Sequence, residues 1–338
     1  MKIFVTGGTG YIGSHTVVEL QKNGYDVIIA DNLVNSSLEV LDGIEKITGI
    51  RPEFEEIDLT DGEVTRDFFA RHSDIRAVIH FAALKAVGES VNKPLEYYFN
   101  NLNSLMNVLT CMREFKVPNL VFSSSCTVYG QADVLPVTEK TPRHEAESPY
   151  GNTKVMSEDI IRDLMRVEPD MKALALRYFN PIGAHPTAFI GELPNGVPNN
   201  LIPYLTQTAI GIREQLSVFG DDYNTPDGSP LRDYIDVVDL AQAHVVAIRR
   251  LLDGKNKKNY EFFNIGTGKA LSVLEIIHAF ERATGVKVNY KIVGRRAGDI
   301  EKVWADTTLA NNELGWKAVT PIEETLANAW KWQQTLNK

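Results

Sequence analysis

Tyr150 and Lys154 are the pair of residues in this chain best suited to acid–base chemistry. They lie four residues apart in a segment that begins Ser148-Pro149, and proline is favoured in the first turn of a helix. A helix from about Pro149 places both side chains on one face. A free tyrosine has a pKa of about 10, so lowering it to about 7 takes roughly 4 kcal/mol, which nearby cations can supply. The same spacing also occurs in ordinary surface helices, so the catalytic interpretation depends on the rest of the chain.

A glycine-rich turn lies at the start of the chain, between a predicted strand and a predicted helix. The apolar run Lys2–Thr6 predicts a buried strand, and Gly7, Gly10 and Gly13 follow it at the spacing of a dinucleotide-binding turn. Glycines there let the backbone approach a pyrophosphate at the N-terminus of the helix. Asp31 follows the second predicted strand, where a carboxylate binds ribose hydroxyls and repels the 2′-phosphate of NADP. The sequence therefore predicts NAD as the cofactor.

Strand and helix patterns keep alternating through the first half of the chain. Such alternation predicts an α/β fold with a doubly wound, Rossmann-like parallel sheet. After Pro181 the segment 184–200 is rich in proline, glycine and asparagine, which indicates an irregular region. We predict an NAD-binding domain over residues 1–180, which also receives a segment near 235–265. Residues 181–338 are predicted to form a smaller α/β substrate domain, interleaved with the first.

The composition of the chain argues against several classes of protein. It has 338 residues and a formal net charge of −9, which is unfavourable for a nucleic-acid-binding surface. Its two cysteines and seven histidines show no spacing typical of a disulfide framework or a metal site. No apolar run is long enough to span a bilayer, and the N-terminus shows no signal-peptide pattern. We expect a cytoplasmic protein with no metal ion, no nucleic-acid partner and no membrane partner.

Polar residues gather where predicted strands end. Ser123-Ser124-Ser125 closes one strand, and Tyr178-Phe179-Asn180 follows another. In a parallel sheet, the carboxyl ends of the strands face the crevice where ligands bind. Arg232 and Arg296 lie in or beside later loops, where arginines can bind phosphate groups. Hydrogen-bonded loop hydroxyls and surface ion pairs are the alternative interpretation of these residues.

These motifs together resemble the extended short-chain dehydrogenase/reductase family. Its T-G-x-x-G-x-x-G pattern is met by Thr6 to Gly13, and its Ser, Tyr and Lys set is met by Ser125, Tyr150 and Lys154. Within that family the chain is similar to the UDP-sugar 4-epimerases. The similarity covers nearly all of the chain. It rests on Gly7 to Ser14, His80 to Ser90, Phe122 to Gly130, Arg177 to Pro181, Pro198 to Leu201, Arg232 to Tyr234, and Trp304 to Asp306.

The resemblance implies a role for each matching position. Ser125, Tyr150 and Lys154 would be the catalytic residues, and no residue would bind a metal. The residues implied to bind NAD are Gly7, Gly10, Tyr11, Ile12, Gly13, Asp31, Asn32, Asp58, Leu59, Phe81, Ala82, Lys85, Asn100, Ser125, Tyr150, Lys154 and Phe179. The residues implied to hold a UDP-sugar are Ser125, Tyr150, Asn180, Asn200, Leu201, Val218, Phe219, Arg232, Arg296, Asp299 and Val303.

The resemblance also implies a reaction. Tyr150, as phenolate, would take the proton of the hexose 4-hydroxyl while the C4 hydride moves to NAD, and Ser125 would relay the proton. Return of the hydride to the other face of the 4-keto sugar would interconvert UDP-galactose and UDP-glucose, a reaction of galactose metabolism. Val303 falls where a small side chain leaves room for an acetamido group, so UDP-GlcNAc and UDP-GalNAc are also expected substrates.

Oligomeric state is predicted from two long amphipathic patterns, one from Pro94 to Phe115 and one beginning near Pro149. Their apolar stripes fit either the core or a dimer face. Pairing of both helices across a twofold axis would give a four-helix interface. Together with the family resemblance, this predicts a homodimer.

Other activities are weighed on the same residues. A dehydratase needs an acid pair where this chain has Thr127-Val128, so dehydration is not expected. A UDP-glucuronate epimerase, a decarboxylase or another enzyme that modifies nucleotide sugars stays open, because the sequence does not locate a cradle for a sugar carboxylate. A non-catalytic NAD-sensing protein also stays open, although such proteins often lose the tyrosine or lysine that is present here.

Overall fold

The computed structural model describes residues 1–296 and 300–336. The strands are β1 Lys2–Thr6, β2 Asp26–Asp31, β3 Glu53–Glu56, β4 Ile75–His80, β5 Asn119–Ser125, β6 Lys172–Tyr178, β7 Asn180–Ile182, β8 Leu216–Phe219, β9 Leu231–Asp236, β10 Tyr260–Ile265, β11 Ala270–Ser272, β12 Tyr290–Val293 and β13 Lys302–Val303. The α-helices are α1 Tyr11–Lys22, α2 Glu39–Thr48, α3 Gly62–Arg71, α4 Val87–Asn92, α5 Pro94–Glu114, α6 Pro149–Val167, α7 Leu201–Ala209, α8 Val237–Leu252, α9 Val273–Thr284, α10 Thr308–Leu314 and α11 Ile322–Thr335. A 3-10 helix over Cys126–Tyr129 follows β5 directly.

The larger sheet within the described residues has seven parallel strands in the order β10-β6-β5-β4-β1-β2-β3. The chain builds outward from β1 through β2 to β3, then returns to the other side of β1 with β4. The order reverses between β1 and β4, and ligands bind at such a switch point in open α/β sheets. The predicted doubly wound, Rossmann-like fold is confirmed.

Helices cover both faces of this sheet, because its strands are apolar on both sides. On one face α1, α2 and α8 pack through residues such as Val17, Ile44 and Ile248. On the other face α3, α5 and α6 pack through residues such as Phe68 and Ile161. Each β5 residue is buried, serines included. The sheet is therefore a rigid layer whose carboxyl edge is the part available to ligands.

The smaller α/β part of the predicted fold class is also present. Strands β7, β9, β11 and β13 form a second sheet in which β9 is the common neighbour, and β8 pairs with β12. Helices α7, α9 and α11 contribute to a separate core with these strands. Asp236 ends β9 and caps α8 by accepting from Val238 N at 2.8 Å. Because α8 packs on the larger sheet, the chain passes back into the first layer at this residue.

Two element boundaries bear on the cofactor residues. Helix α1 begins at Tyr11, because the glycine turn itself supplies the N-cap, Gly10. Strand β3 ends at Glu56, so Asp58 lies in the following loop. The reason is the length of the neighbouring strand: β2 ends at Asp31, which pairs with Glu56, and no ladder continues beyond that pair.

The described residues give no structural sign of a membrane span or a metal centre. Their helices are too short or too polar to cross a bilayer, and their His, Cys, Asp and Glu side chains form no group of three that would hold a metal ion. His80, predicted to be structural, shares a hydrogen bond with the hydroxyl of Thr6 at 3.0 Å. Burial lowers the pKa of His80 to about 3, which keeps the ring neutral.

Candidate active site

A cavity of about 1040 Å³ lies at the carboxyl ends of β1, β2, β4 and β5, and segments of the smaller part border its other side. Nearly every residue predicted from the sequence lines this one cavity. These residues are Gly7, Gly10, Tyr11, Ile12, Gly13, Asp31, Asn32, Asp58, Leu59, Phe81, Ala82, Lys85, Asn100, Ser125, Tyr150, Lys154, Phe179, Asn180, Asn200, Leu201, Phe219, Arg232, Arg296 and Val303. The cavity thus joins the predicted cofactor and substrate residues.

Two predicted substrate residues are not part of that lining. Val218 is fully buried in the core of the smaller part, so it does not reach the cavity. Asp299 lies outside the described residues. The sequence pattern could not separate Val218 from its neighbour Phe219, because the two alternate between the core and the cavity side of β8.

Backbone packing explains the glycine turn. Gly7 has φ +67°, and a Cβ on it would lie 2.8 Å from the amide nitrogen of Ala82. A Cβ on Gly13 would lie 2.3 Å from the carbonyl oxygen of Gly7. Gly10 is the N-cap of α1 and offers no side chain to the N–H groups of the first turn. The turn therefore presents a helix N-terminus suited to a pyrophosphate.

Asp31 is held at the end of β2 with its carboxylate in the cavity lining. It accepts hydrogen bonds from Leu33 N at 2.9 Å, from Thr9 N at 3.3 Å and from the hydroxyl of Ser36 at 3.3 Å. These donors fix the carboxylate beside the glycine turn and leave oxygen lone pairs for ribose hydroxyls. A fixed negative charge at this place suits NAD rather than NADP.

Helix α6 positions Tyr150 and Lys154 as the sequence predicts. Its N-cap Ser148 accepts a hydrogen bond from Gly151 N at 3.1 Å, and Pro149 occupies the first turn. The cap fixes where the helix begins, and the four-residue spacing then turns both side chains toward the cavity. The predicted catalytic pair is therefore placed by a helix rather than by a loop.

Tyr150 and Ser125, which lies at the end of β5, line the same cavity. Burial raises the pKa of Tyr150 to about 12, the nearby Cys126 thiol adds to the rise, and the hydroxyl of Ser125 opposes it. The protein's own groups therefore favour the neutral phenol, and the lowered pKa expected from the sequence depends on the nicotinamide cation as well as on Lys154. The physical reason is desolvation, which disfavours the anion when no cofactor charge is present.

The ammonium of Lys154 binds a backbone carbonyl rather than the Tyr150 hydroxyl. Its ammonium donates a hydrogen bond to the carbonyl oxygen of Ser123 at 2.7 Å and lies 5.9 Å from the centre of the Tyr150 ring. Burial lowers the pKa of Lys154 to about 8, and the negative charge of Glu158 opposes that fall. The lysine thus lies beside the Tyr150 ring and lines the same cavity.

Residues after β4 line the cavity next to the glycine turn. Phe81 N and Ala82 N both donate to the hydroxyl of Thr6, each at 3.1 Å. This ties the loop after β4 to β1 and keeps the small Ala82 against Gly7. Lys85, further along, places its ammonium 3.8 Å from the carboxylate of Glu192. The loop therefore reaches from the cofactor side of the cavity to the smaller part.

Glu192 is a cavity residue that the sequence analysis missed. It accepts a hydrogen bond from the side-chain amide of Asn200 at 2.6 Å, and its backbone carbonyl accepts from the Trp332 indole at 2.9 Å. It links the predicted cofactor residue Lys85 to the predicted substrate residue Asn200. Its segment has no periodic pattern, so no local signal marked it.

Cys126 and Thr127 also line the cavity beside Ser125, the predicted catalytic serine. Ser125 caps their 3-10 helix by accepting from Thr127 N at 3.2 Å. Their place next to Tyr150 follows only from the fold. Burial raises the pKa of the Cys126 thiol to about 12, so this cysteine is an inert packing group rather than a nucleophile.

Comparison with known proteins assigns the chain to a family. Residues 3–266 match the model of the NAD dependent epimerase/dehydratase family, a span that holds the glycine turn, Ser125, Tyr150 and Lys154. The chain belongs to this family. The resemblance to nucleotide-sugar epimerases of the extended short-chain dehydrogenase/reductase type is confirmed.

Family members of similar length match the chain from end to end. The UDP-glucose 4-epimerase of Bacillus subtilis (strain 168) is 51% identical over 335 residues, covering 99% of this chain and 97% of that protein.

Two solved structures in the family have nearly the same fold. The UDP-glucose 4-epimerase of Stenotrophomonas maltophila, with bound NAD and formylated UDP-arabinopyranose, has a TM-score of 0.96 and 47% identity, covering 100% of this chain and 99% of that one. The enzyme of Bifidobacterium longum, in complex with NAD+ and UDP, has a TM-score of 0.94 and 46% identity, covering 99% and 98%.

Proposed function

We propose that the chain is an NAD-dependent UDP-hexose 4-epimerase, an isomerase that interconverts UDP-galactose and UDP-glucose in galactose metabolism. One observation carries this conclusion: Ser125, Tyr150 and Lys154 line the same cavity as a dinucleotide turn and two arginines. The relatives described above, which are named for this reaction and match the whole chain, support the same function.

The cofactor is NAD, and the residues present fit it. The uncapped first turn of α1 suits the pyrophosphate, and the carboxylate of Asp31 suits the adenosine ribose. Lys154 would hold the nicotinamide ribose, and Phe179 would pack near the nicotinamide. The chemistry that NAD supplies when bound is reversible acceptance of a hydride from C4 of the hexose. The positive charge of the oxidised ring also favours a phenolate nearby.

The proton chemistry belongs to Tyr150 and Ser125. Tyr150 takes the proton of the 4-hydroxyl and gives it back to the 4-keto oxygen after the sugar has turned its other face. Ser125, which lines the cavity with Tyr150, donates to the same sugar oxygen and can pass the proton between the two. Because burial makes the phenolate costly in the protein alone, the base forms only where charge compensation is available.

The UDP part must stay fixed while the hexose rotates. Arg232 and Arg296 are placed in the cavity lining, and guanidinium groups bind diphosphate oxygens in a bidentate manner. Asn180, Asn200 and Leu201 would complete the UDP-sugar site. We infer that residues 1–180 with 235–265 form the NAD-binding domain, and that the rest of 181–338 forms the UDP-sugar-binding domain.

Acceptance of N-acetylated sugars is part of the proposal. Val303 on β13 lines the cavity and packs in one cluster with Phe179 and Val128. A valine leaves space that a larger side chain would fill, so UDP-GlcNAc and UDP-GalNAc fit as additional substrates. The relatives described above give no support to glucuronate epimerisation, decarboxylation or a non-catalytic sensor.

We propose a cytoplasmic homodimer. Helices α5 and α6 carry apolar side chains that remain exposed in the single chain, namely Leu95, Phe99, Met106 and Met156. Pairing of these two helices with their copies would cover those side chains in a four-helix interface. Sedimentation analysis of the purified protein, compared with a Phe99→Asp variant, tests this.

The experiment that tests the function uses purified protein, UDP-galactose and no added NAD. Formation of UDP-glucose is followed by anion-exchange chromatography, and the assay is repeated with added NAD and with UDP-GlcNAc. Conversion of UDP-galactose supports the proposal, and conversion without added NAD indicates a retained cofactor. No conversion of UDP-galactose in either condition, with folded protein, would rule the proposal out.

A further inference from the structure

A buried polar cluster lies directly behind the catalytic residues. Glu158 on α6 follows Lys154 by four residues, as Lys154 follows Tyr150, so the three share one helix face. Glu158 is 0% exposed. Carboxylates are almost never fully buried unless they are paired, and the reaction described above gives this one no role.

Four hydrogen bonds hold the Glu158 carboxylate. Ser124 donates to it at 2.5 Å. Arg177 donates twice, from Nε at 2.8 Å and from Nη2 at 2.5 Å. Arg143 donates the fourth bond. Both carboxylate oxygens are thus satisfied by donors from separate segments of the chain, and the pair with Arg177 is bidentate, the geometry that best fixes orientation.

Each donor belongs to a segment that also carries a site residue. Ser124 precedes Ser125 on β5, and Arg177 lies on β6 just before Phe179 and Asn180. Glu158 therefore ties the helix that bears Tyr150 and Lys154 to both strand ends that face them. A shift of any of these elements would have to break a fully buried bond.

The network continues to the loop after β5. Arg177 Nη1 donates to the Tyr129 hydroxyl at 3.0 Å, and that hydroxyl donates to the side-chain oxygen of Asn264 at 2.6 Å. The Asn264 amide in turn donates to the carbonyl of Val137 at 3.0 Å. The loop that begins with the catalytic serine is therefore anchored to the same carboxylate through a chain of buried bonds.

The charge of Glu158 also acts on Lys154. Burial works to raise the pKa of Glu158, but the hydrogen bonds and charge of Arg177 outweigh it and hold that pKa below its usual value. The carboxylate is therefore an anion one helical turn from Lys154, whose own pKa burial lowers to about 8. Without that anion, Arg177 and Arg143 would leave only positive charge on this side of the lysine.

The other titratable or charged groups around Lys154 provide no comparable negative charge. Burial lowers the pKa of His80 on β4 and keeps its ring neutral. Burial also raises the pKa values of three further groups and keeps them neutral: Tyr178 on β6, Tyr97 on α5 and Cys126 after β5. Glu89 on α4 is about half exposed and already paired with Lys93. Tyr150 itself is a neutral phenol in the protein alone.

We propose that Glu158 is a positioning residue of the epimerase reaction: its buried negative charge keeps Lys154 an ammonium ion, and its bonds to Ser124 and Arg177 hold the strand ends that carry Ser125 and Asn180. This inference rests on the proposed function. It gives Glu158 two separable tasks, one that needs charge and one that needs geometry.

The test compares Glu158→Gln with the wild type and with Asp159→Asn. Asp159 is the next residue on α6 and also pairs with Arg143, but it is partly exposed, so its variant should behave as the wild type. In Glu158→Gln, Lys154 loses its proton at lower pH. The alkaline limb of kcat/KM should move down by about one pH unit, with about a fivefold loss of kcat at pH 8. KM for the UDP-sugar should stay at its wild-type value.

Rescue and a paired variant separate charge from folding. Glu158→Asp keeps the charge and should retain the wild-type alkaline limb even if its rate is lower. If Glu158→Gln does not fold, Glu158→Gln combined with Arg177→Gln removes the anion together with its bidentate partner; because a cation is lost as well, its alkaline limb should move down by less than one pH unit. If the alkaline limb of the kcat/KM profile is unshifted in the variant that folds, the proposal is overturned.

A second readout does not depend on activity. Titration of Lys154 is followed by NMR of protein with 13Cε-labelled lysine, and Lys154→Arg identifies the signal. The proposal requires a lower pKa for Lys154 in Glu158→Gln than in the wild type; equal values would contradict it. If the wild type converts no UDP-galactose, the proposed function fails, while the NMR comparison still decides whether Glu158 holds the lysine charged.

Discussion

The two sides of the cavity are built on different principles. On the cofactor side, strand ends and the first turns of α1 and α6 place the groups, and a Cβ on Gly13 would meet the Gly7 carbonyl at 2.3 Å. On the substrate side, Asn200, Arg232 and Arg296 come from loops or short strands of the smaller part. The predicted acid–base residues are thus held by the large sheet and its helices. The predicted sugar-binding residues come from separate loops and short strands.

The largest effect is expected on the rigid side, at the base. Tyr150→Phe removes the hydroxyl that exchanges the proton and leaves the ring, so turnover should fall by about 10²- to 10⁴-fold. NAD content of the purified variant should be unchanged, since the glycine turn and Asp31 are intact. Kinetics with UDP-galactose and absorbance of released NAD check both. A variant with wild-type turnover would show that another group is the base.

The second-largest effect is expected at the glycine turn. In Gly13→Ala the added Cβ has no space beside the Gly7 carbonyl, so we expect about 1–3 kcal/mol of destabilisation and loss of bound NAD. Thermal unfolding and NAD content measure these. Gly294→Ala is the matched control, because a Cβ there meets nothing within 4 Å. Equal behaviour of the two variants would mean that the turn is not the constrained element described above.

On the substrate side a smaller and different effect is expected. Arg232→Met should raise KM for UDP-galactose by about 10- to 100-fold, because a charged hydrogen bond to the diphosphate contributes about 1.5–3 kcal/mol. NAD content and the fold should be kept. Arg282→Met removes a surface arginine of α9 paired with Glu323 and serves as control. If Arg232→Met lowered kcat with KM unchanged, the arginine would belong to the chemical step instead.

The smallest effect should concern the sugar itself. Val303→Tyr fills the space beside Phe179 and should reduce turnover of UDP-GlcNAc by about tenfold relative to UDP-galactose, within the range for steric discrimination in a pocket. Val303→Ala keeps the space and should preserve the ratio. Parallel assays on both substrates measure it. Equal losses on the two sugars would place the acetamido group elsewhere.

The two sides also differ in what the sequence could predict. The sheet, α1 and the Tyr150–Lys154 face follow from local periodicity, a glycine spacing and one proline, all of which are properties of short segments. Glu192 and Glu158 could not be found this way, because their partners come from distant segments. Val218 was chosen beside Phe219 although only one of the two faces the cavity.

The protonation of Tyr150 was beyond sequence reasoning for a related reason. The expected fall in its pKa drew on two nearby cations, the Lys154 ammonium and the nicotinamide ring. In the structure the ammonium donates to the Ser123 carbonyl, and burial raises the pKa of Tyr150 to about 12. Spacing predicts which residues share a face, but desolvation depends on everything packed around them.

The most direct test of the account follows the hydrogen at C4. UDP-galactose carrying deuterium at C4 is converted by the purified protein in ordinary water, and the UDP-glucose formed is examined by NMR and mass spectrometry. If Tyr150 moves only the hydroxyl proton and the C4 hydrogen leaves and returns as a hydride, the deuterium stays at C4 of the product. Loss of the deuterium to solvent would contradict this mechanism and require proton removal from carbon instead.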